Sequence, residues 1–403
     1  MIGDISYKNY KKKSDIHGAV LYPAVMVAPV QKDILKSLIN KNSTKSVFDP
    51  FHGSGTALFE ALEIDEKIKL VGCDINPLAN MITKVKLQGV SNNIDRDIIK
   101  IKLILEEKEL DENFSFHNID KWFREDIAQE LRKIRTAIMR IEDKKNRLYF
   151  WCMLCDIVRK YSNTRSSTYK LHIKSPDMIK NIKNNVIKDY ILSIENNLEK
   201  FKNRSSDFAL YKCDVLKKID LINDNTFDIS ITSPPYGENA TTVTYGQFSI
   251  LALYWIDKKD LELEGWELDN YNIIDSRSLG GSFNNIMLND FENSLVEKYL
   301  NKISAPKKKK VIRFFSDYFI FLRELCRVTK KYIVLTLGNR TVDGIKINLT
   351  EISMRFLENN GFVNIELIER TIPNKRIPKI IYKKDNKIIN SMNFEYIIIH
   401  KKN

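Results

Sequence analysis

The amino-acid sequence predicts an α/β fold: a Rossmann-like, doubly wound and mostly parallel sheet with a large helical insertion. Three patterns predict it. A short apolar segment at 45–49 runs into a glycine-rich turn and then an amphipathic helix. Further short apolar segments recur along the chain, and the stretch 76–207 is charged and helical in pattern. Strands that alternate with helices favour a parallel sheet covered on both faces.

Four segments predict the first strands. KSVFD (45–49) is short and apolar, and it leads through PFHGSGT into the helix ALFEALEI. IKLVGCD (68–74) ends on Asp74, and FALYKCDV (208–215) ends near Asp214. FDISIT (227–232) stops against a double proline, because proline lacks the amide that a central strand needs.

Three later segments complete the predicted sheet. KYIVLTLGN (331–339) is the fifth strand. GFVNIELIER and NFEYIIIHKK flank the hydrophilic loop KRIPKIIYKKDNK, and we expect them to pair antiparallel as a hairpin at the sheet edge.

The lengths between these strands predict the domain organisation. Residues 1–75 and 208–403 would form the sheet domain, and 76–207 a helical insertion, because a structureless loop of that length is uncommon inside a compact domain. A second insertion at 257–315 carries SRSLGGSFNN and PKKKK (306–310).

Bulk properties restrict the class of protein. The 403 residues are 43% hydrophobic and 29% charged, with no apolar run long enough to span a bilayer and no signal peptide, so we expect a cytoplasmic protein. The net charge of +13 favours a polyanionic partner, although a lysine-rich proteome would also give it. Cys152 and Cys155 form a C-x-x-C without a second pair, and their helical surroundings predict buried positions rather than metal ligands.

The turn DPFHGSGT has the features of a cofactor-binding loop. Gly53 and Gly55 let the main chain approach a ligand closely, and Asp74 follows at about the 20-residue spacing that reaches a ribose. A dinucleotide motif lacks its third glycine at Leu58, and a P-loop lacks its lysine because Thr56 follows Gly55. A ligand with adenosine and a carboxylate but no phosphate fits better, as in S-adenosylmethionine; a plain tight turn is the alternative.

The motif Thr232-Ser233-Pro234-Pro235-Tyr236-Gly237 follows the fourth strand. Here the sequence resembles the DNA amino-methyltransferases, whose active-site motif is [D/N/S]-P-P-Y and whose cofactor motif is D-x-F-x-G-x-G-T. The resemblance covers 18–80 and 208–403, and it implies the class I methyltransferase fold with S-adenosylmethionine as cofactor. HGAVLYPAVMVAPVQKDILKSLI is similar to the family's N-terminal cofactor segment, with Tyr22, Pro23 and Ala24 its best candidates; an ordinary helix is the alternative.

The resemblance also implies roles for individual residues. Ser233 Oγ and the Pro234 carbonyl would accept the two hydrogens of a base amine, and Tyr236 would stack on a flipped base. Asp74 would hold the ribose and Asp214 the adenine, with a strand-end cap as the alternative for Asp214. The predicted catalytic residues are Ser233, Pro234, Pro235 and Tyr236. The predicted cofactor-binding residues are Tyr22, Pro23, Asp49, Pro50, Phe51, Gly53, Gly55, Thr56, Asp74 and Asp214, and we predict no metal.

The choice of base depends on Ser233. Within the resembled family, serine before the double proline is commoner in cytosine-N4 enzymes, so we expect N4 of cytosine in double-stranded DNA. N6 of adenine, N2 of guanine in RNA and a catalytically dead DNA-binding protein stay as alternatives. The C5 route needs a Pro-Cys nucleophile, and no cysteine here follows a proline. The expected partners are double-stranded DNA with a flipped base and a cognate restriction endonuclease.

Target recognition could lie in 76–207, in 257–315 or in both, and we interpret PKKKK (306–310) as a solvated loop or a DNA contact. Two further segments are candidates for contacts with DNA. KYSNTRSSTYKLHIKSP (160–176) mixes the basic residues Arg165, Lys170, His172 and Lys174 with hydroxyls suited to phosphates, or it is a solvated loop. After the SPPY motif, polar and aromatic residues could line a base pocket or serve ordinary capping and surface roles: Asn239, Thr241, Thr242, Tyr245 and Gln247.

Overall fold

A seven-stranded sheet forms the centre of the structure, a computed structural model that describes residues 7, 9–107, 113–237, 243–263, 272–277, 279–281, 288–371, 380–384, 387–390 and 394–403. The strands are β1 (Ser46–Asp49), β2 (Lys69–Cys73), β3 (Phe208–Tyr211), β4 (Phe227–Thr232), β5 (Thr329–Leu337), β6 (Arg340–Val342), β7 (Ile345–Ile347), β8 (Phe362–Thr371), β9 (Ile380–Lys384), β10 (Lys387–Asn390) and β11 (Phe394–Lys402). The sheet order is β3-β2-β1-β4-β5-β11-β8, while β6 pairs with β7 and β9 with β10 in separate hairpins.

The strand order creates a switch point between β1 and β4. In register, Val47 of β1 lies between Leu70 of β2 and Ile229 of β4, and both pairings are parallel. The chain winds outward from β1 in one direction through β2 and β3, and from β4 in the other through β5. Ligands of open α/β sheets bind at the carboxyl ends of strands beside such a point. The two sequence motifs follow β1 and β4, so the topology brings them to one edge.

The helices surround this sheet. They are α1 (Ala28–Leu38), α2 (Thr56–Ile64), α3 (Pro77–Gln88), α4 (Ile94–Glu106), α5 (Ile119–Trp122), α6 (Glu125–Met139), α7 (Lys144–Tyr161), α8 (Pro176–Lys180), α9 (Val186–Asn197), α10 (Val215–Ile219), α11 (Tyr245–Trp255), α12 (Lys258–Leu261), α13 (Asn272–Ser276), α14 (Asp290–Leu300), α15 (Ala305–Val328) and α16 (Leu349–Asn359). Short 3₁₀ helices occur at Lys12–Ser14, Ile16–Gly18 and Leu198–Lys200.

Two apolar cores cover the two faces of the sheet. Successive residues of a strand point to opposite faces, and Val47 accordingly joins one core while Phe48 joins the other. The first core continues from α1, α2 and α3 into α4, α6, α7 and α9. Trp151 of α7 is fully buried in it. The predicted insertion 76–207 is therefore helical and shares its core with the sheet. Cys152 and Cys155 are buried in α7, as their helical spacing predicts.

The predicted fold class is confirmed, and the seven strands of the main sheet follow the predicted segments. β8 and β11 pair antiparallel at the edge of this sheet, as expected; β11 also pairs antiparallel with β5, so β8 is the outermost strand. The division into 1–75 with 208–403, 76–207 and 257–315 stays a prediction.

Two expectations about local structure, one for a loop and one for a helix, were wrong or incomplete. PKKKK is not a loop, because α15 begins at Ala305 with a proline in its first turn, where the missing amide costs no hydrogen bond. Upstream of β1, α1 begins only at Ala28, so the segment from Leu21 to Val27 is not helical. SRSLGGSFNN and KRIPKIIYKKDNK fall partly outside the described residues. Among the residues that are described, no helix combines the length and apolar character needed to cross a membrane.

Candidate active site

A cavity opens at the carboxyl ends of β1, β2, β3 and β4. The space that it encloses, including the part open to solvent, is about 1100 Å³. Both motifs face this cavity. The predicted site residues that line it are Tyr22, Pro23, Pro50, Phe51, Gly53, Thr56, Asp74, Asp214, Ser233, Pro234, Pro235 and Tyr236.

The glycine loop between β1 and α2 adopts a conformation that requires its glycines. Gly53 and Gly55 have φ values of 50° and 74°, in the left-handed region that side chains disfavour. A Cβ on Gly55 would lie 2.5 Å from Thr83 Cγ2 of α3. Gly55 therefore admits α3 behind the loop and does not line the cavity, which differs from its predicted role.

Side chains of α3 fix the direction of the loop's carbonyl groups. Thr83 Oγ1 donates to the Gly53 carbonyl at 3.0 Å, and Lys86 Nζ donates to the Ser54 carbonyl at 2.6 Å. Lys86 is fully buried, and burial lowers the pKa of its ammonium group to about 7. These contacts turn the two carbonyls toward α3 and away from the cavity.

Asp74 connects the ends of β1 and β2. Its Oδ2 accepts from the Gly53 amide at 2.9 Å, and its Oδ1 accepts from the Asn76 amide at 2.8 Å. Burial raises the pKa of this carboxyl group. Each oxygen keeps a lone pair, so the same carboxylate that holds the loop can also accept from a ligand hydroxyl.

The two other predicted aspartates differ from each other. Asp214 lines the cavity, and its Oδ1 also accepts from the Leu216 amide at 3.0 Å as the N-cap of α10, so its capping role is real. Asp49 does not line the cavity. It is fully buried, its Oδ1 accepts from the Phe51 amide at 3.1 Å, and burial raises its pKa to about 7. Asp49 shapes the start of the loop from behind.

The SPPY segment leaves the sheet after Thr232. Ser233 Oγ lies 3.1 Å from the Tyr236 hydroxyl, and both side chains line the cavity. Gly237 follows in contact with Arg340: a Cβ on Gly237 would lie 2.0 Å from Arg340 Nη1, so a side chain there would require the guanidinium to move. Arg340 belongs to β6 of the β6–β7 hairpin, so this hairpin supports the motif from the side of β5.

Comparisons with known proteins agree with this geometry. The family model described as D12 class N6 adenine-specific DNA methyltransferase matches residues 32–219. The type II methyltransferase M.MvaI of Kocuria varians is 30% identical over 406 residues, which cover 93% of this chain and 88% of the relative. The chain belongs to the S-adenosylmethionine-dependent DNA amino-methyltransferases. No solved structure matches this methyltransferase significantly.

The cavity residues fit S-adenosylmethionine, the methyl donor of this family. Ser54 Oγ and Thr56 Oγ1 are buried, line the cavity and have no hydrogen-bond partner among the described residues. They stand at the N-terminus of α2, which favours a carboxylate. Asp74 would hold the ribose and Asp214 the adenine. When bound, the cofactor supplies an electrophilic methyl group on its sulfonium.

A wall of aromatic rings borders the methyltransferase cavity. Tyr22 stacks on Tyr245 with ring centroids 5.8 Å apart, and Phe248 contacts Tyr22 edge-on at 6.0 Å. The Asn76 side-chain amide donates to the Tyr22 hydroxyl at 3.1 Å and to Ser249 Oγ at 2.7 Å, which ties the wall to α3.

The segment after SPPY gives a mixed result. Tyr245 lines the cavity, whereas Gln247 does not; its side-chain oxygen accepts from the Leu171 amide at 3.0 Å. Asn239, Thr241 and Thr242 lie outside the described residues.

Sequence reasoning missed several methyltransferase residues. Asn76 had a signal, because Asn followed by Pro begins many helices, and its side chain does cap α3. Arg340 also had one, since Asp343-Gly344 is a hairpin turn pair and both residues have positive φ. His52 also lines the cavity and stands within the DPFHGSGT turn, whereas Arg277 and Leu279 line it without a local signal.

Proposed function

We propose that this methyltransferase transfers the methyl group of S-adenosylmethionine to N4 of cytosine in double-stranded DNA. The observation that carries the proposal is Ser233, the residue before the double proline, which lines the same cavity as the cofactor loop. Serine at this place is commoner in the cytosine-N4 enzymes that the sequence resembles.

Ser233 is held in a way that suits a base amine. Its Oγ lies 3.1 Å from the Tyr236 hydroxyl. A serine hydroxyl that donates its hydrogen to Tyr236 keeps its lone pairs for an incoming N–H. The Pro234 carbonyl would accept the second amine hydrogen. Together the two acceptors would draw the amine lone pair out of the ring and toward the methyl group.

The acceptor base must leave the duplex to reach this site, because a paired amine is inside the stack. Tyr236 offers an aromatic face next to Ser233. Burial raises the pKa of the Tyr236 hydroxyl, so Tyr236 stays neutral. A flipped base stacked on Tyr236 would present its amine edge to Ser233 and Pro234.

Adenine N6 is the second candidate. The matching family model is described as N6 adenine-specific. Its match ends at residue 219, however, before the SPPY motif at 233–236. Cytosine and adenine present the same type of amidine edge, so the acceptors at Ser233 and Pro234 suit both.

The relative M.MvaI is a type II methyltransferase. On that basis we propose that this chain is the modification enzyme of a restriction-modification system, with a cognate endonuclease, and that it acts in the cytoplasm on cellular DNA.

The test is to express the chain in cells and to sequence their DNA by a method that detects modified bases. We expect modified cytosines at one short sequence, and a much smaller modified fraction in cells that express Ser233→Ala at the same level. Unmodified DNA together with methylated RNA would favour the guanine-N2 alternative. Unmodified nucleic acid, with the cofactor bound, would favour a dead DNA-binding protein.

A further inference from the structure

The segment between α7 and α8 forms a short exposed hairpin, which we call the 162–174 hairpin. Thr164 and Ile173 form an antiparallel bridge. The Arg165 amide donates to the His172 carbonyl at 2.8 Å, and the Lys174 amide to the Asn163 carbonyl at 2.8 Å. The base of the hairpin, Ser162 to Thr164, is buried, whereas Arg165, Lys170 and His172 are exposed. The segment is therefore ordered, and its polar tip faces solvent.

The charges of this hairpin have one sign. Its sequence, SNTRSSTYKLHIK, contains no aspartate or glutamate. Within the described ranges, Arg165 and Lys170 form no ion pair, whereas the neighbouring Lys160 pairs with Asp189. Hydroxyl groups at Ser166 and Ser167 stand between the two cations and are also exposed. Unneutralised cations interleaved with hydroxyls match a row of phosphates.

The hairpin is anchored on α11 beside the catalytic cavity. The Tyr169 ring contacts Phe248 edge-on at 5.7 Å, and the Leu171 amide donates to Gln247 Oε1 at 3.0 Å. The Arg159 guanidinium lies 4.6 Å from the centre of the same Phe248 ring. Phe248 in turn contacts Tyr22 of the cavity wall. One aromatic residue thus separates the hairpin from the cavity.

We propose that the 162–174 hairpin binds the sugar-phosphate backbone of the duplex next to the flipped base, with Arg165 and Lys170 as the phosphate contacts. A flipped base in the cavity places its own strand within reach of side chains at the cavity border. The anchoring through Phe248 and Gln247 fixes the hairpin relative to Tyr22 and Tyr245. This inference rests on the proposed action on double-stranded DNA and not on the choice of base.

The experiment uses a double variant that carries both Arg165→Ala and Lys170→Ala. Its binding to a mixed-sequence DNA duplex is measured over a series of salt concentrations and compared with that of the wild type. Each phosphate contact contributes a slope of about −0.9 to log K against log salt. We expect the double variant to lose about two units of slope and about tenfold or more in affinity at physiological salt. Affinity for S-adenosylmethionine and thermal stability should equal those of the wild type.

The matched control removes the same charge at the opposite edge of the sheet. Lys41 and Lys67 are exposed in the turns that precede β1 and β2. Lys41→Ala with Lys67→Ala should keep the wild-type slope. Equal losses in both double variants would mean a general effect of net charge, and an unchanged slope in the hairpin variant would mean that the hairpin does not touch phosphates; either result overturns the inference. If the wild type itself binds duplex DNA without a salt slope, the proposed DNA substrate fails instead.

Discussion

Asp74 holds the glycine loop, and we propose that the same carboxylate holds the ribose of the cofactor. It accepts from the amides of Gly53 and Asn76, and it lines the cofactor cavity. We expect Asp74 to affect both the conformation of the glycine loop and the binding of the cofactor, because its two backbone contacts hold the loop against the end of β2.

Asp74→Ala should weaken the binding of S-adenosylmethionine by about 1.5 to 3 kcal/mol, the usual contribution of hydrogen bonds to a charged group. Titration calorimetry measures this directly. The control is Asp95→Ala, which removes an exposed carboxylate in the first turn of α4 and should bind as the wild type does. Wild-type affinity in a folded Asp74→Ala chain would remove Asp74 from the cofactor site.

Ser233 and Tyr236 should act on the base rather than on the cofactor. Ser233→Ala and Tyr236→Ala are expected to keep cofactor affinity and to lower kcat on the order of 100-fold, because the first removes a positioned hydrogen-bond acceptor and the second removes the stacking face for the base. Tyr236→Phe is the matched variant, since it keeps the stacking face and loses only the contact with Ser233 Oγ. It should retain more activity than Tyr236→Ala. A kcat equal to that of the wild type in all three variants would contradict the assignment.

At the scale of elements, β11 contains a buried histidine with a measurable consequence. His400 is fully buried, and neither ring nitrogen has a hydrogen-bond partner among the residues described. Burial lowers the pKa of His400 to about 4. The unfolded chain takes up this proton below pH 6.5 and the folded chain does not. Above pH 6.5 His400 therefore does not change the free energy of unfolding with pH. As the pH falls from 6.5 toward 4, protonation of the unfolded chain lowers the free energy of unfolding.

His400→Leu should remove this dependence. Between pH 6.5 and 4 the wild type should lose up to about 1.4 kcal/mol of unfolding free energy per pH unit through this group, and the variant should lose less by that amount. Urea unfolding at several pH values gives the two curves. His117→Leu, at an exposed histidine, should follow the wild type. Parallel curves for wild type and His400→Leu would show that His400 is not kept neutral by burial.

The elements also show what the sequence could predict. The seven strands of the main sheet and the helix after the glycine loop follow from local apolar patterns and turn residues. Asp343-Gly344 is a turn pair that indicates the β6–β7 hairpin. Pro306 indicates the start of α15, but from the sequence alone the lysine run after it favoured a loop. Charge alone does not distinguish a solvated helix from a solvated loop.

At the scale of the whole molecule, the cavity gathers residues from distant parts of the chain. Tyr22, Asp74 and Ser233 were predicted because each stands in or beside a recognisable motif. Arg277 and Leu279 have no such motif and reach the cavity only through the fold. The role of Gly55 was also out of reach, because it depends on the approach of Thr83 from α3. Motifs predicted the chemistry, and long-range packing determined which atoms face the ligand.

The helices between β2 and β3 determine where the 162–174 hairpin lies. α7 and α9 share a core with the sheet, so the 162–174 hairpin that follows α7 is held in a fixed place relative to the cavity. A separately folded recognition domain would not be fixed in this way. The net charge of +13 gives the molecule a general attraction to DNA, and the hairpin concentrates part of it beside the site.

Methyl transfer to N4 of cytosine through Ser233 has a distinctive product. The most direct test is to incubate the purified chain with duplex DNA and S-adenosylmethionine, digest the DNA to nucleosides and identify the product by mass spectrometry. We predict N4-methylcytosine, formed at an initial rate on the order of 100-fold lower in a parallel reaction with Ser233→Ala. N6-methyladenine as the sole product would contradict the choice of base and leave the amine mechanism in place, and 5-methylcytosine would contradict both.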